Sequence, residues 1–140
     1  MDIRQLTPRY FVSPQIDPSE MEALRAEGIT LILCNRPDAE VPPSHQAEAM
    51  RAAAEAAGLK FAVQPLTHQT MVPEVIAQNR AAGADTDEVV LAYCASGTRS
   101  TIAWALGQAG EMEAEEIMQA ARSGGYDLGN IRHVLDRPFV

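Results

Sequence analysis

Cys94, Arg99 and Ser100 are the residues of this 140-residue chain whose types and spacing suit one reaction centre. They fall within Val89–Gln108, VVLAYCASGTRSTIAWALGQ. An apolar run through Tyr93 reads as a buried strand, Cys94–Ser100 as a tight loop, and the residues from about Thr101 as an apolar helix. A strand feeding a loop and then a helix makes an anion site, because loop N–H groups and the helix N-terminus point at one spot. A cysteine there is placed as a nucleophile, since helix N-termini and Arg favour thiolate over thiol. Gly97 permits a turn that a Cβ would hinder. The oxyanion-binding loop is therefore Ala95, Ser96, Gly97, Thr98 and Arg99, with the Ser100 hydroxyl available to donate to the Cys94 sulfur. A lone cysteine at a strand end is otherwise a small buried hydrophobe. The company of Gly97, Arg99 and Ser100 moves the reading to chemistry.

The elements that must position this loop follow in chain order. Arg9–Gln15 reads as a short edge strand. Asp17-Pro18-Ser19-Glu20 is a helix start, with Asp17 as cap and Glu20 reaching back, and the helix stops at Gly28. Ile29–Cys34, ITLILC, has the continuous apolar pattern of a strand covered on both faces. Asn35-Arg36-Pro37-Asp38 carries turn chemistry. A helix over Ser44–Ala57, a strand over Leu59–Leu66, a loop over Thr67–Val72 and a helix over Pro73–Ala82 come next. Beyond the central stretch lie helices near Glu113–Arg122 and Leu128–Leu135. This alternation predicts a single-domain, three-layer α/β fold over residues 1–140 with a central, mostly parallel sheet. Ligands of such sheets bind beyond the strands' carboxyl ends, where the Asn35–Asp38 loop, the Thr67–Val72 loop and Cys94 should gather.

Composition narrows the partners. A net charge of −8 argues against nucleic acid and anionic membrane surfaces, and makes Arg99 a local positive spot. Two cysteines give no disulfide framework, and no apolar run is long enough to span a bilayer, so a cytoplasmic protein with reduced thiols is expected. His45 and His133 show no metal-ligand spacing, and neither a metal nor a cofactor is expected. Cys34 reads as core packing in ITLILC or as a resolving thiol that would shield Cys94 from over-oxidation. Asn35 and Arg36 read as a brace for the loop or as a plain turn. Trp104 reads as core.

Cys94-Ala95-Ser96-Gly97-Thr98-Arg99-Ser100, with Asn35-Arg36-Pro37-Asp38 upstream, resembles the phosphatase-like domain family of the beta-lactamase hydrolase-like proteins. These are small bacterial proteins related in fold to dual-specificity protein tyrosine phosphatases, and related domains occur fused to sulfur enzymes. The resemblance extends to Gly124-Gly125-Tyr126-Asp127. It implies a protein tyrosine phosphatase-like fold, Cys94 as nucleophile, Arg99 as oxyanion holder and Ser100 as the hydroxyl that steadies the thiolate. Three departures stand beside it. Only four residues separate Cys94 from Arg99, a rhodanese-like loop length where tyrosine phosphatases have five. Tyr93 stands where they usually carry His. From Lys60 to Ala84 there is no Asp, and the only carboxylate is Glu74. The general acid that phosphate ester cleavage needs would then be His68 or Asp38.

Three functions are compatible with these residues. A cysteine-dependent phosphatase-like hydrolase would use a Cys94 thiolate and Arg99 on a small phosphate ester. A sulfurtransferase would carry sulfane sulfur as a Cys94 persulfide, needs no general acid, and would work alongside sulfur-metabolism enzymes. A non-catalytic module would merely hold an anion, which leaves the thiol without a purpose.

Overall fold

The computed structural model describes residues 1–140. Five strands form one sheet: β1 Arg4–Thr7, β2 Tyr10–Ser13, β3 Leu31–Cys34, β4 Lys60–Val63 and β5 Val90–Tyr93. Their order across the sheet is β1-β2-β5-β3-β4. All neighbours are parallel except β1 and β2, which form an antiparallel hairpin. The helices are α1 Met21–Ala26, α2 Ala47–Ala56, α3 Pro73–Ala82, α4 Thr98–Gln108 and α5 Ala114–Ser123. The expected α/β architecture with a mostly parallel sheet is present, and no helix is long and apolar enough to cross a membrane.

Side chains alternate across each strand, so the sheet builds a core on each face. Val12, Leu33, Val90 and Ala92 face one core with Trp104, Ile117 and Met118 of α4 and α5. Ile32, Cys34, Leu91 and Tyr93 face the other with Met21 and Leu24 of α1 and Met50 of α2. All four residues of β3 and of β5 are buried, as strands covered on both faces must be.

Several local expectations are corrected. The strand expected at Arg9–Gln15 is β2, and it is interior: β1 takes the edge instead. RQLT shows no apolar alternation, with only Leu6 buried, so β1 left no signal in the sequence. The helix expected from Ser44 begins at Ala47, because Pro42 and Pro43 lead into a single 3₁₀ turn first. The strand expected to reach Leu66 ends at Val63, two residues before Pro65. The helix after the central loop starts at Thr98 rather than Thr101, so Arg99 and Ser100 belong to its first turn. The last helix is a 3₁₀ segment, Gly129–Val134. At the start of α1 the expected capping box forms: Asp17 Oδ2 accepts from Ser19 N at 3.0 Å and Asp17 N donates to Glu20 Oε1 at 2.7 Å.

Candidate active site

β5 ends at Tyr93, and the chain turns through Cys94–Gly97 into α4. Gly97 sits at φ +92°, a left-handed conformation that glycine adopts without strain. This turn brings the Gly97 N–H back to the Cys94 sulfur, at 3.1 Å. The loop is pinned further by Thr101 Oγ1 donating to Gly97 O at 2.7 Å and by Tyr126 Oη donating to Ser96 O at 3.0 Å. Cys94 is fully buried beneath it.

Arg99 points from the first turn of α4 across the strand ends. Its Nη1 donates to Leu66 O at 2.8 Å and to Glu40 Oε2 at 2.9 Å, and its Nη2 donates to Glu40 Oε1 at 2.7 Å. This is a bidentate carboxylate clamp. Arg36 Nε joins the same carboxylate at 3.1 Å. Hydrogen bonds from Arg99 above all, and from Arg36, hold Glu40 below the usual carboxylate range, although burial pushes the other way. In return Glu40, and to a smaller extent Cys94, holds the Arg99 proton more firmly. A cavity of about 410 Å³ opens here. Ala95, Ser96, Thr98 and Arg99 form one wall, and Glu40, Thr67, His68 and Gln69 the other.

Below the cavity lies a buried polar network. Asn35 Nδ2 donates to Gln64 O and to Asn79 Oδ1, each at 2.8 Å. Asn35 Oδ1 accepts from Ser100 Oγ at 2.8 Å. One side chain thus ties the end of β3 to the β4 exit, to α3 and to α4. The Ser100 hydroxyl has one proton and gives it to Asn35, so the expected donation to the Cys94 sulfur is not what the structure holds. Polar groups buried this deeply need such partners, since an unpaired one costs about 1–3 kcal/mol.

The other singled-out residues fall as follows. His68 lines the cavity. Asp38 does not: its Oδ1 accepts the Ala47 N–H at 2.7 Å and caps α2, which has no cap of its own. Arg36 braces Glu40 and donates from Nη1 to Gln15 Oε1 at 3.2 Å. Cys34 lies in the core facing α1 and α2, where its sulfur donates to Arg36 O at 3.5 Å, and burial pushes its thiol pKa up. Both cysteines are free. Tyr93 is also buried on that face, with a hydroxyl that lacks a hydrogen-bond partner. No group of His, Cys, Asp and Glu is gathered to hold a metal ion. A second cavity, about 300 Å³, lies at the opposite end of the strands beside Arg9 and Trp104, without a nucleophile.

Comparison with known proteins adds the lineage. Residues 2–111 match the family described as beta-lactamase hydrolase-like protein, phosphatase-like domain. The chain belongs to this family. A beta-lactamase hydrolase-like protein of Xylella fastidiosa (strain 9a5c) is 31% identical over 142 residues, covering 100% of this chain and 33% of the relative. The chain therefore spans about a third of the length of that curated relative. A solved structure from Neisseria meningitidis z2491 (nma1982) is 34% identical, with a TM-score of 0.82 and 97% of each chain covered. The core catalytic domain of a PP-IP phosphatase from S. cerevisiae, solved in complex with citrate, shares the fold at a TM-score of 0.70 and 11% identity. It covers 97% of this chain and 86% of that one. The phosphatase-like fold implied by the loop motifs is thus the fold this family has.

Two members of the site left no legible signal in the sequence. Glu40 sits in a short 3₁₀ turn after Pro37, and nothing local marks it as a partner for a residue 59 positions on. Tyr126 lies within a stretch that carries the family resemblance, yet its bond to Ser96 spans 30 residues and needs the third dimension.

Proposed function

We propose that this domain is a cysteine-dependent hydrolase of phosphatase type acting on small phosphate esters. The observation that carries the reading is the convergence of the Gly97 N–H on the Cys94 sulfur, in a loop whose Ala95, Ser96, Thr98 and Arg99 line the cavity. The Cys94 thiolate attacks phosphorus, the S–P bond forms and the P–O bond to the leaving group breaks. Amides of Ala95 to Arg99 and the Arg99 guanidinium bear on the equatorial oxygens, where donors aimed at developing charge act most strongly. Water then cleaves the S–P bond and returns the thiolate. His68, on the opposite wall, is the candidate donor of the leaving-group proton. Glu40 is held ionised by Arg99 and Arg36 and is unsuited to that task. The lining carries no aromatic ring besides the His68 imidazole, which fits a small anion better than a phosphotyrosyl peptide.

One observation favours a second reading, sulfur transfer. The cavity carboxylate is locked as an anion, and Asp38 is spent on α2. Sulfite leaves without a proton, so a site lacking a carboxylic acid could pass sulfane sulfur from thiosulfate to Cys94, giving Cys94–S–S⁻ and sulfite. A thiol acceptor would then remove the sulfur, and a partnership with sulfur-metabolism enzymes would follow.

A side-by-side assay of wild type and Cys94→Ser decides between them. Release of p-nitrophenol from p-nitrophenyl phosphate that vanishes in the variant supports the hydrolase. One added sulfur on Cys94 by intact mass after thiosulfate, with negligible phosphate release, replaces it by the transferase. Wild type inert toward both refutes both readings.

A further inference from the structure

The loop around Cys94 is braced from outside residues 2–111. Tyr126 follows α5 and the Gly124-Gly125 turn. Its ring is 8% exposed and lies beneath the Arg4 guanidinium, 5.2 Å from centroid to Cζ. Arg4 Nη1 also donates to Gly124 O at 3.0 Å, so β1 holds the turn that presents the tyrosine. Burial raises the Tyr126 pKa and keeps its hydroxyl a proton donor.

The hydroxyl and the thiol grip the same peptide unit. Tyr126 Oη donates to Ser96 O at 3.0 Å, and Gly97 N–H donates to Cys94 Sγ at 3.1 Å. A trans peptide turns its C=O and its N–H in opposite directions, so these two bonds fix one plane. The carbonyl faces out to Tyr126 and the amide faces in to the sulfur. The backbone alone does not choose this orientation. A half-turn of the unit would carry Gly97 from φ +92° to a negative φ, which glycine adopts as readily. The flipped unit would aim the Ser96 carbonyl at the sulfur and withdraw the amide. A Cβ at Gly97 would collide with the Tyr126 hydroxyl, so glycine is also what lets the brace approach.

We propose that Tyr126 is a positioning residue: its hydroxyl, on a ring held under Arg4, selects the peptide orientation that puts the Gly97 N–H into the oxyanion loop. The consequence for turnover rests on the reading of Cys94 as nucleophile; the consequence for the peptide does not.

Tyr126→Phe tests this, because it keeps the ring and the Arg4 contact and removes only the O–H. Three quantities are read beside the melting temperature: hydrogen exchange of the Gly97 amide by NMR, alkylation of Cys94 by iodoacetamide at neutral pH, and kcat and KM on p-nitrophenyl phosphate and on thiosulfate. Losing one hydrogen bond corresponds to about a tenfold change. Gly97 exchange should rise about tenfold, alkylation should slow about tenfold, and kcat should fall about tenfold with KM moving less. Wild-type exchange at Gly97 together with wild-type alkylation overturns the proposal. So does a loss of activity that only tracks the folded fraction. If wild type turns over neither substrate, the hydrolase and transferase readings fall, while exchange and alkylation still decide the role of Tyr126. Should Tyr126→Phe not fold, Arg4→Gln carries the test: it weakens the support of the ring, and the same shifts should appear at about two- to fivefold.

Discussion

Cys34 closes β3 and is the register partner of Tyr93, the last residue of β5, so Cys94 lies one position beyond the end of the neighbouring strand. Both thiols are buried to within 1%. Their surroundings differ in the direction of one hydrogen bond. The Cys34 sulfur donates to the Arg36 carbonyl, which requires its proton, and faces the apolar layer under α1 and α2. The Cys94 sulfur accepts the Gly97 N–H, a bond that a thiolate, as the proposed reaction requires, would keep and strengthen. Burial as such does not distinguish the two cysteines. What separates them is whether the local backbone offers the sulfur an acceptor or a donor.

The sharpest way to break this contrast is to replace each thiol. Cys94→Ser should lower turnover of whichever substrate is processed by at least about 1000-fold, whereas Cys34→Ala should stay within about threefold. Comparable losses in both variants would erase the distinction. Arg99→Ala comes next, with an expected loss of about 100- to 1000-fold in kcat, as for removal of a main oxyanion donor. A rate near wild type would take Arg99 out of the reaction.

Glu40→Gln should cost about 10- to 100-fold in kcat, because the bidentate grip that aims the Arg99 fork is lost. The same variant has a pH signature. The Glu40 pKa is lowered on folding from 4.5, so its contribution to stability is complete above that value and disappears as pH falls through the lower folded value. The stability gap between wild type and Glu40→Gln should be flat through neutral pH and close below about pH 4.5. A gap that widens on acidification would mean that the carboxyl is held protonated.

Iodoacetamide at neutral pH should modify Cys94 at least about tenfold faster than Cys34, as peptide mapping by mass spectrometry would record. Equal, slow labelling would show that the two settings are chemically equivalent. The smallest effect belongs to the stability of Cys34→Ala, about 1 kcal/mol or a few degrees in melting temperature, from a small cavity in the α1–α2 core.

Much of the local structure around Cys94 is legible in the sequence. VVLAYCASGTRS announces a strand, a turn and a helix, because an apolar run, a glycine and a following apolar helix are local signals. The covered strands β3 and β5 were legible for the same reason. Glu40 was not, because an ion pair between residues 40 and 99 is set by how two loops meet across the sheet edge. The partner of Ser100 was misread because sequence proximity favoured Cys94, while the fold offers the Asn35 carbonyl oxygen at 2.8 Å. β1 escaped notice because an edge strand with one buried residue needs no apolar alternation. Asp38 stands beside His68 as one of two candidate acids in the sequence, and nothing local shows that the proline-led entry to α2 leaves the Ala47 amide to be capped by it.

The position of β5 sets the order in which this molecule can come together. β5 is the last strand in the chain and the central one in the sheet, paired with β2 on one side and β3 on the other. Without residues 90–93, β2 with its hairpin partner and β3 with β4 share no strand pairing. Such non-local pairing makes folding slow relative to helical domains of similar size. During synthesis Cys94 therefore follows directly on the strand that completes the sheet, while the Tyr126 hydroxyl that braces its loop at Ser96 arrives 30 residues after that serine.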